Sequence, residues 1–160
     1  MHRISRTASL TAGLLIGASV LAATSSATAS GGNGPGPRSD ILRASIQGSL
    51  LSDPPLFGFV RGGAPWVISE GTARLRANGD LRAEVEGLII PTTGVNPVPR
   101  LSATVVCNGT ALPPTASVPF STTGDATIDT RVTLPERCLA PAVLLNPNSS
   151  TTTYIAATGR

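Results

Sequence analysis

The sequence predicts an all-β fold, an antiparallel β-sandwich that follows a signal-peptide helix. Apolar and polar residues alternate along several short stretches, and turn residues separate these stretches about every 8–12 positions, which is typical of antiparallel sheets. Fourteen prolines and seventeen glycines among 160 residues oppose long helices. An immunoglobulin-like Greek key is the first expectation and a small barrel is the alternative, although the order of the tryptophan and the cysteines differs from that of antibody domains.

Residues 1–29 have the features of a secretory signal peptide. Two arginines precede an apolar run at residues 12–23, and the small residues that signal peptidase requires end at Ala29. The apolar run would form only about 18 Å of helix, too short for a hydrocarbon core of about 30 Å. We therefore expect cleavage between Ala29 and Ser30, Sec-dependent export, and a secreted product that is not stably inserted in a membrane.

The rest of the chain divides into a short arm and one domain. Residues 30–39 are rich in glycine and proline and predict a flexible arm. Residues 40–160 are enough for a single β-sandwich domain with one core. Within this domain, the alternation predicts strands at residues 41–50, 65–69, the hairpin 72–90, 101–107, 116–120, 126–134, 142–145 and 152–157.

The register of the hairpin follows from its side chains. A two-residue Asn-Gly turn would oppose Leu75 to a charged residue, which places an apolar face against a polar one. A three-residue loop, residues 77–79, instead pairs Leu75 with Leu81, and its glycine takes the left-handed position. We therefore predict this second register, although it sets Arg74 directly opposite Arg82 on the solvent face.

In the strand at residues 101–107, one face carries Leu101, Ala103, Val105 and Cys107, and the other carries Ser102 and Thr104 together with Val106. Cys107 ends this strand, and Cys138 is the only other cysteine. An exported chain with an even number of cysteines most simply forms a disulfide. The bridge would close a loop of about 32 residues and stabilise the fold by roughly 3–4 kcal/mol.

The residue types that are present exclude several kinds of chemistry. The one histidine, His2, lies in the predicted leader, and all twelve basic residues are arginines. After cleavage there is no histidine to act as a base or metal ligand and no lysine to form a Schiff base. We expect no cofactor and no metal. Cleavage would remove two of the twelve arginines, which leaves ten arginines and nine carboxylates. The resulting formal charge of +1 does not favour nucleic-acid binding.

Two pairs of carboxylates are candidates for chemistry. Glu84 and Glu86 share the outer face of one strand about 7 Å apart, a spacing that overlaps the one found in inverting glycosidases. The same pattern predicts a solvated charged face, which we favour. Asp125 and Asp129 could supply half of a Ca²⁺ site, but four residues of strand separate them by about 13 Å. We therefore expect no catalytic residue.

Three of the five aromatic residues lie close together in the sequence. Phe57, Phe59 and Trp66 accompany prolines and glycines, and they could form an exposed platform for sugar rings or for a protein partner. A chain with so few aromatic residues also needs them in its core. The core is the favoured interpretation, and the platform is the possible binding surface.

Four stretches carry a resemblance to known sequences: residues 63–68 (GAPWVI), 88–109 (LIIPTTGVNPVPRLSATVVCNG), 138–145 (CLAPAVLL) and 154–159 (YIAATG). They are similar to a group of short secreted proteins from Streptomyces-like actinobacteria that have no assigned activity. The resemblance implies an exported single-domain protein. It gives no residue a function.

These features predict a secreted, non-catalytic module of the extracellular space or the cell envelope, with a binding or structural role. Its partner would be an extracellular protein or a glycan. Two alternatives stay open. One is a carboxylate-dependent glycan hydrolase, and the other is a secreted protease inhibitor that presents residues 91–99 (PTTGVNPVP) as a rigid exposed loop.

Overall fold

The computed structural model describes residues 38–159, and every regular element in this range is a β-strand. The strands are β1 (Asp40–Gly48), β2 (Val60–Arg61), β3 (Glu70–Arg76), β4 (Asp80–Glu86), β5 (Arg100–Cys107), β6 (Thr110–Ala111), β7 (Val118–Pro119), β8 (Ala126–Arg131), β9 (Ala142–Pro147), β10 (Thr153–Tyr154) and β11 (Ala156–Thr158). This confirms the predicted all-β class. In the described range, no helix is long and apolar enough to cross a membrane. The predicted leader and most of the predicted arm lie outside the described residues.

Nine strands form one curled antiparallel sheet, a half-barrel. Its order is β6-β5-β9-β11-β1-β3-β4-β8, and β7 pairs with the same side of β5 as β6 does. The two remaining strands, β2 and β10, form a separate parallel pair.

The curl originates in β1, because this strand changes partner along its length. Residues 40–45 pair with β3, whereas residues 46–48 pair with β11. A strand that passes from one sheet to the other forms a corner between them. The arrangement therefore combines the two expected architectures: two half-sheets face each other as in a sandwich, and one shared strand joins them as in a barrel.

The β3–β4 hairpin has the predicted register. Leu75 is the Cα partner of Leu81, and Arg74 is the partner of Arg82. The Gly79 N–H donates to the Arg76 carbonyl at 2.9 Å, and Gly79 has a φ of 89°. A non-glycine residue rarely adopts this left-handed conformation, so the turn depends on glycine.

The main core lies inside the curl and takes side chains from both half-sheets. Its largest fully buried members include Ile46, Leu75, Leu81, Leu101, Ile128, Leu145 and Ile155, and Trp66 packs among them. Because β1 links the half-sheets, the side chains of both meet in one continuous cluster.

A second, smaller core covers the outer face of β5, β9 and β11. Its buried members are Phe59, Val106, Leu144, Tyr154 and Ala157. Both faces of β5 are therefore buried, because the chain around Phe59 and Tyr154 covers the face that carries Ser102 and Thr104. The buried polar groups there pair with one another. The Thr104 hydroxyl donates to Asn146 Oδ1 at 2.8 Å, and the Asn146 amide donates to the Thr153 carbonyl at 2.9 Å.

The predicted disulfide joins Cys107 to Cys138, whose Cα atoms are 4.8 Å apart. The side chain of Asn108 holds the segment beside it. Its Nδ2 donates to the Arg137 carbonyl at 2.7 Å, and its Oδ1 accepts from the Leu139 N–H at 2.8 Å. The bridge and the amide together fix this segment against the end of β5.

Two predicted strands are shorter than expected. Residues 65–69 contribute only an isolated bridge between Val67 and Ile89. The stretch 116–120 contains only the two residues of β7, at the edge of the sheet, where Pro119 is tolerated because an edge strand needs fewer N–H donors.

We expect Gly79→Ala to lower the free energy of unfolding by at least about 2 kcal/mol. A methyl group at Gly79 would collide with the Val132 carbonyl oxygen, in addition to the strain of the left-handed backbone. Gly94→Ala is the matched control, because Gly94 has a φ of 71° but nothing within 4 Å of the added carbon. That variant should lose only about 1 kcal/mol. Urea unfolding followed by Trp66 fluorescence measures both, and equal losses would contradict the steric role of Val132.

Candidate functional site

The segment after β1 exposes an unusual number of large apolar side chains. Leu50, Leu51, Phe57 and Val60 have exposed fractions between 44% and 53%, and the nearby Val67 is 42% exposed. We call these five residues the apolar loop surface. Leu50 and Val67 line one groove of about 420 Å³ together with Trp66. Large apolar side chains at the surface often mark an interaction site.

The segment is anchored although it has little regular structure. Leu56 and Phe59 exchange two backbone hydrogen bonds of 2.9 and 2.8 Å, which close a tight turn around Phe57. The Tyr154 hydroxyl donates to the Pro54 carbonyl at 3.0 Å, and the Trp66 N–H donates to the Ser49 carbonyl at 2.8 Å. The apolar side chains are therefore presented from a fixed backbone.

Phe57 occupies a strained position at the tip of this turn. Its φ is 51°, and that of the following glycine is 87°, the left-handed values of a type I′ turn. A bulky residue in this region is an outlier, and such strain amounts to about 1–3 kcal/mol. Packing does not offset it fully, because the side chain is 44% exposed.

A second unfavourable feature lies at the base of the same segment. Ser49 is fully buried, and within the described part of the chain its side-chain oxygen has no hydrogen-bond partner. An unpaired buried hydroxyl costs about 1–3 kcal/mol. Strain and unsatisfied polar groups concentrate at functional sites more often than elsewhere.

The three aromatic residues singled out in the sequence do not form a common platform. Trp66 is only 4% exposed and packs in the main core, while Phe59 is 6% exposed and packs in the second core. Phe57 alone is exposed. The sequence did not single out the aliphatic residues of this surface, because they follow no regular spacing. They are Leu50, Leu51, Val60 and Val67.

Charged residues cover the outer face of β1, β3, β4 and β8 in rows. Arg43, Arg74 and Arg82 are neighbours across three strands, and we call them the basic row. The row ends at Asp129 on β8, which is the partner of Arg82. Two residues further along the strands, the register places Glu84 beside Thr72.

The other end of this face is acidic. Glu70 lies directly opposite Glu86, and both line a groove of about 400 Å³ with Glu84 and Asp125. The guanidinium of Arg82 hydrogen-bonds the carboxylate of Glu84 at 2.6 Å and holds the pKa of Glu84 below its usual range. A general acid needs a raised pKa, so this environment opposes a general-acid role for Glu84.

Asp125 supports the turn before β8. Its carboxylate accepts from the Thr123 hydroxyl at 2.5 Å, the Gly87 N–H at 3.0 Å and the Ser121 hydroxyl at 3.2 Å. These bonds, led by the one from Thr123, lower the pKa of Asp125. Asp129 is separately paired with Arg82 at 3.6 Å. Between residues 38 and 159, no three His, Cys, Asp or Glu side chains are close enough together to hold one metal ion.

The loop that could belong to a protease inhibitor is wound rather than extended. The Gly94 N–H donates to the Ile90 carbonyl at 2.9 Å, so residues 90–94 form one compact turn. Below the turn, the Asn96 amide donates to the carbonyls of Val98 and Ser121, each at 2.7 Å. Most residues of the loop are exposed, but its tip lacks the extended backbone that adds to the edge of a sheet.

Comparison with known proteins identifies no relative of this chain. No family model matches it, and no curated protein and no solved structure is significantly similar to it.

We expect Phe57→Asn to raise the free energy of unfolding by about 0.5–1 kcal/mol, because asparagine adopts the left-handed conformation more readily than phenylalanine. The exposed ring contributes little to the core. Chemical denaturation of the variant and the wild type gives the difference. A clear loss of stability would show that the Phe57 ring is a structural element, and the strain argument would then fail.

Asp125 should make stability depend on pH. Because its pKa is lowered in the folded state, its contribution is complete well above about pH 4 and is lost as the pH falls through the folded pKa. Asp125→Asn should therefore be less stable than the wild type at pH 7, and the difference should shrink at about pH 2.5. Glu136→Gln, which alters an exposed carboxylate, is the control. Urea unfolding at both pH values measures how much stability each variant loses relative to the wild type. If the loss caused by Asp125→Asn is the same at both pH values, the charge does not have this role.

Proposed function

We propose that this protein is a non-catalytic binding module that works outside the cell and contacts a protein partner through the apolar loop surface. The observation that carries the proposal is Phe57, a large aromatic side chain that is both exposed and held in a strained backbone conformation. Neither feature stabilises the isolated fold. Both are understandable if a partner covers the ring.

The chemistry of the surface favours a protein partner over a glycan. Its side chains are aliphatic apart from one phenyl ring, and Asp53 and Arg61 are the charged residues within the segment from 50 to 67. Sugar binding needs several polar side chains around an aromatic face to pair with hydroxyl groups. Protein interfaces instead bury aromatic and aliphatic anchors at their centre.

An extracellular location is consistent with two features. The disulfide between Cys107 and Cys138 is of the kind that persists in oxidising compartments. The predicted leader would export the chain, in line with the short secreted actinobacterial proteins that it resembles. Of the two alternatives, the inhibitor has some support from the hydrogen bonds that hold residues 90–96, and the hydrolase has less because the Glu84 carboxylate is partly exposed and paired with Arg82.

The proposal can be tested by capture with matched baits. The mature chain, Leu51→Ser, Phe57→Asn and the control Leu139→Ser are each immobilised and exposed to culture medium and cell-wall extract of the producing organism. Leu139 is 59% exposed and lies outside the apolar loop surface, so it reports on exposed leucines in general. A captured protein is identified, purified and titrated against each variant.

We expect a partner that binds the wild type and Leu139→Ser within about twofold, and binds Leu51→Ser and Phe57→Asn at least about tenfold more weakly. Equal capture by all four baits would overturn the assignment of the surface. Capture of nothing, together with a concentration-dependent dimer that Leu51→Ser abolishes in sedimentation, would replace the partner by a second copy of the chain and so contradict the proposal.

A further inference from the structure

The basic row places three like charges next to one another. Arg43 on β1 is the partner of Arg74 on β3, and Arg74 is the partner of Arg82 on β4. Side chains of opposed residues project from the same face with Cβ atoms about 4.5–5.5 Å apart, and opposed like charges destabilise a sheet. The row therefore needs neighbouring negative charge.

Two of the three guanidinium groups have such neighbours. Arg74 Nε lies 2.7 Å from Asp40 Oδ1, and Arg82 lies 2.6 Å from Glu84. Arg82 is also within 3.6 Å of Asp129. Among the described residues, Arg43 makes no side-chain hydrogen bond or ion pair, and its charge acts on Asp40 only at longer range. One positive charge of the row is left without a close counter-ion.

A groove lies directly over this unpaired charge. It has a volume of about 610 Å³, and its polar lining consists of Arg43, Ser45, Thr72, Arg74, Arg82 and Glu84. Ser45 is the partner of Thr72, so two hydroxyl groups face each other beside the opposed Arg43 and Arg74. Neither hydroxyl makes a hydrogen bond to a residue in the range 38–159. The Glu84 carboxylate also lines the groove, where it is the cross-strand neighbour of Thr72 and is hydrogen-bonded by Arg82.

We propose that the groove between Arg43 and Arg74 binds a phosphate group, either free or as part of an extracellular phosphodiester. Guanidinium groups bind phosphate through paired N–H donors, and the two hydroxyls add donors from the adjacent row. A tetrahedral oxyanion has enough acceptor oxygens to accept hydrogen bonds from the guanidinium groups and from the hydroxyls at the same time. The bound anion would also remove the repulsion between Arg43 and Arg74. This site is separate from the apolar loop surface and does not depend on its function.

Thermal unfolding at constant ionic strength tests the proposal with the mature protein. Phosphate at pH 7, compared with chloride, should raise the Tm of the wild type and leave that of Arg43→Gln unchanged. In chloride, Arg43→Gln should be at least as stable as the wild type, because the variant removes the opposed charge. Arg131→Gln is the matched control, since Arg131 lies on the same face but is paired with Asp80 at 2.8 Å. It should keep the phosphate effect.

Calorimetric titration with inorganic phosphate and with a synthetic phosphodiester oligomer identifies the source of the ligand. We expect Arg43→Gln to bind either probe about tenfold more weakly than the wild type. Tighter binding of the oligomer assigns the site to a polymer, and equal binding per phosphate assigns it to the free anion. The proposal is overturned if wild type and Arg43→Gln respond equally to phosphate, or if neither responds.

Discussion

The fold depends on β1, which hydrogen-bonds to both halves of the sheet. Among the described strands, β1 provides the pairing that joins β3, β4 and β8 to β5, β9 and β11 in one sheet. The change of partner falls at Ile46, a residue that is 1% exposed and packs in the main core. The partner on one side, β11, is the last strand of the described residues. The half-barrel therefore closes through a pairing between residues about 110 positions apart, a non-local contact of the kind that slows folding.

The same topology explains why the segment after β1 is presented so firmly. As the chain leaves β1, it crosses the outer face of β9 and β11, and Phe59 fills the second core there. Tyr154 packs beside it and holds the Pro54 carbonyl. The apolar loop surface thus rests on a buried layer and not on solvent. A rigid base reduces the entropy that would be lost on binding a partner.

The sequence predicted what depends on local alternation and missed what depends on distant chain segments. The pairing of Leu75 with Leu81 was predicted because only the three-residue loop aligns the apolar faces of the two hairpin strands. The structure confirms this register. The disulfide follows from cysteine count and context. The burial of Ser102 and Thr104 did not follow, because a segment about 50 residues away covers them. Of the basic row, the pairing of Arg74 with Arg82 was predicted, but the place of Arg43 beside Arg74 was not. The pairing of β1 with β3 joins distant segments and contains an irregularity between Asp40 and Leu42 that alternation does not reveal.

The amide of Asn108 has a consequence for how the sulfur bridge behaves. Its two hydrogen bonds hold Arg137 and Leu139, the neighbours of Cys138, against the end of β5 without using either sulfur. Both bonds are made by the side-chain amide, so reduction of the bridge would break neither of them directly. Thiols that such bonds hold close together reoxidise in an intramolecular step with a high effective concentration. We therefore expect Asn108 to favour re-formation of the native pairing after reduction.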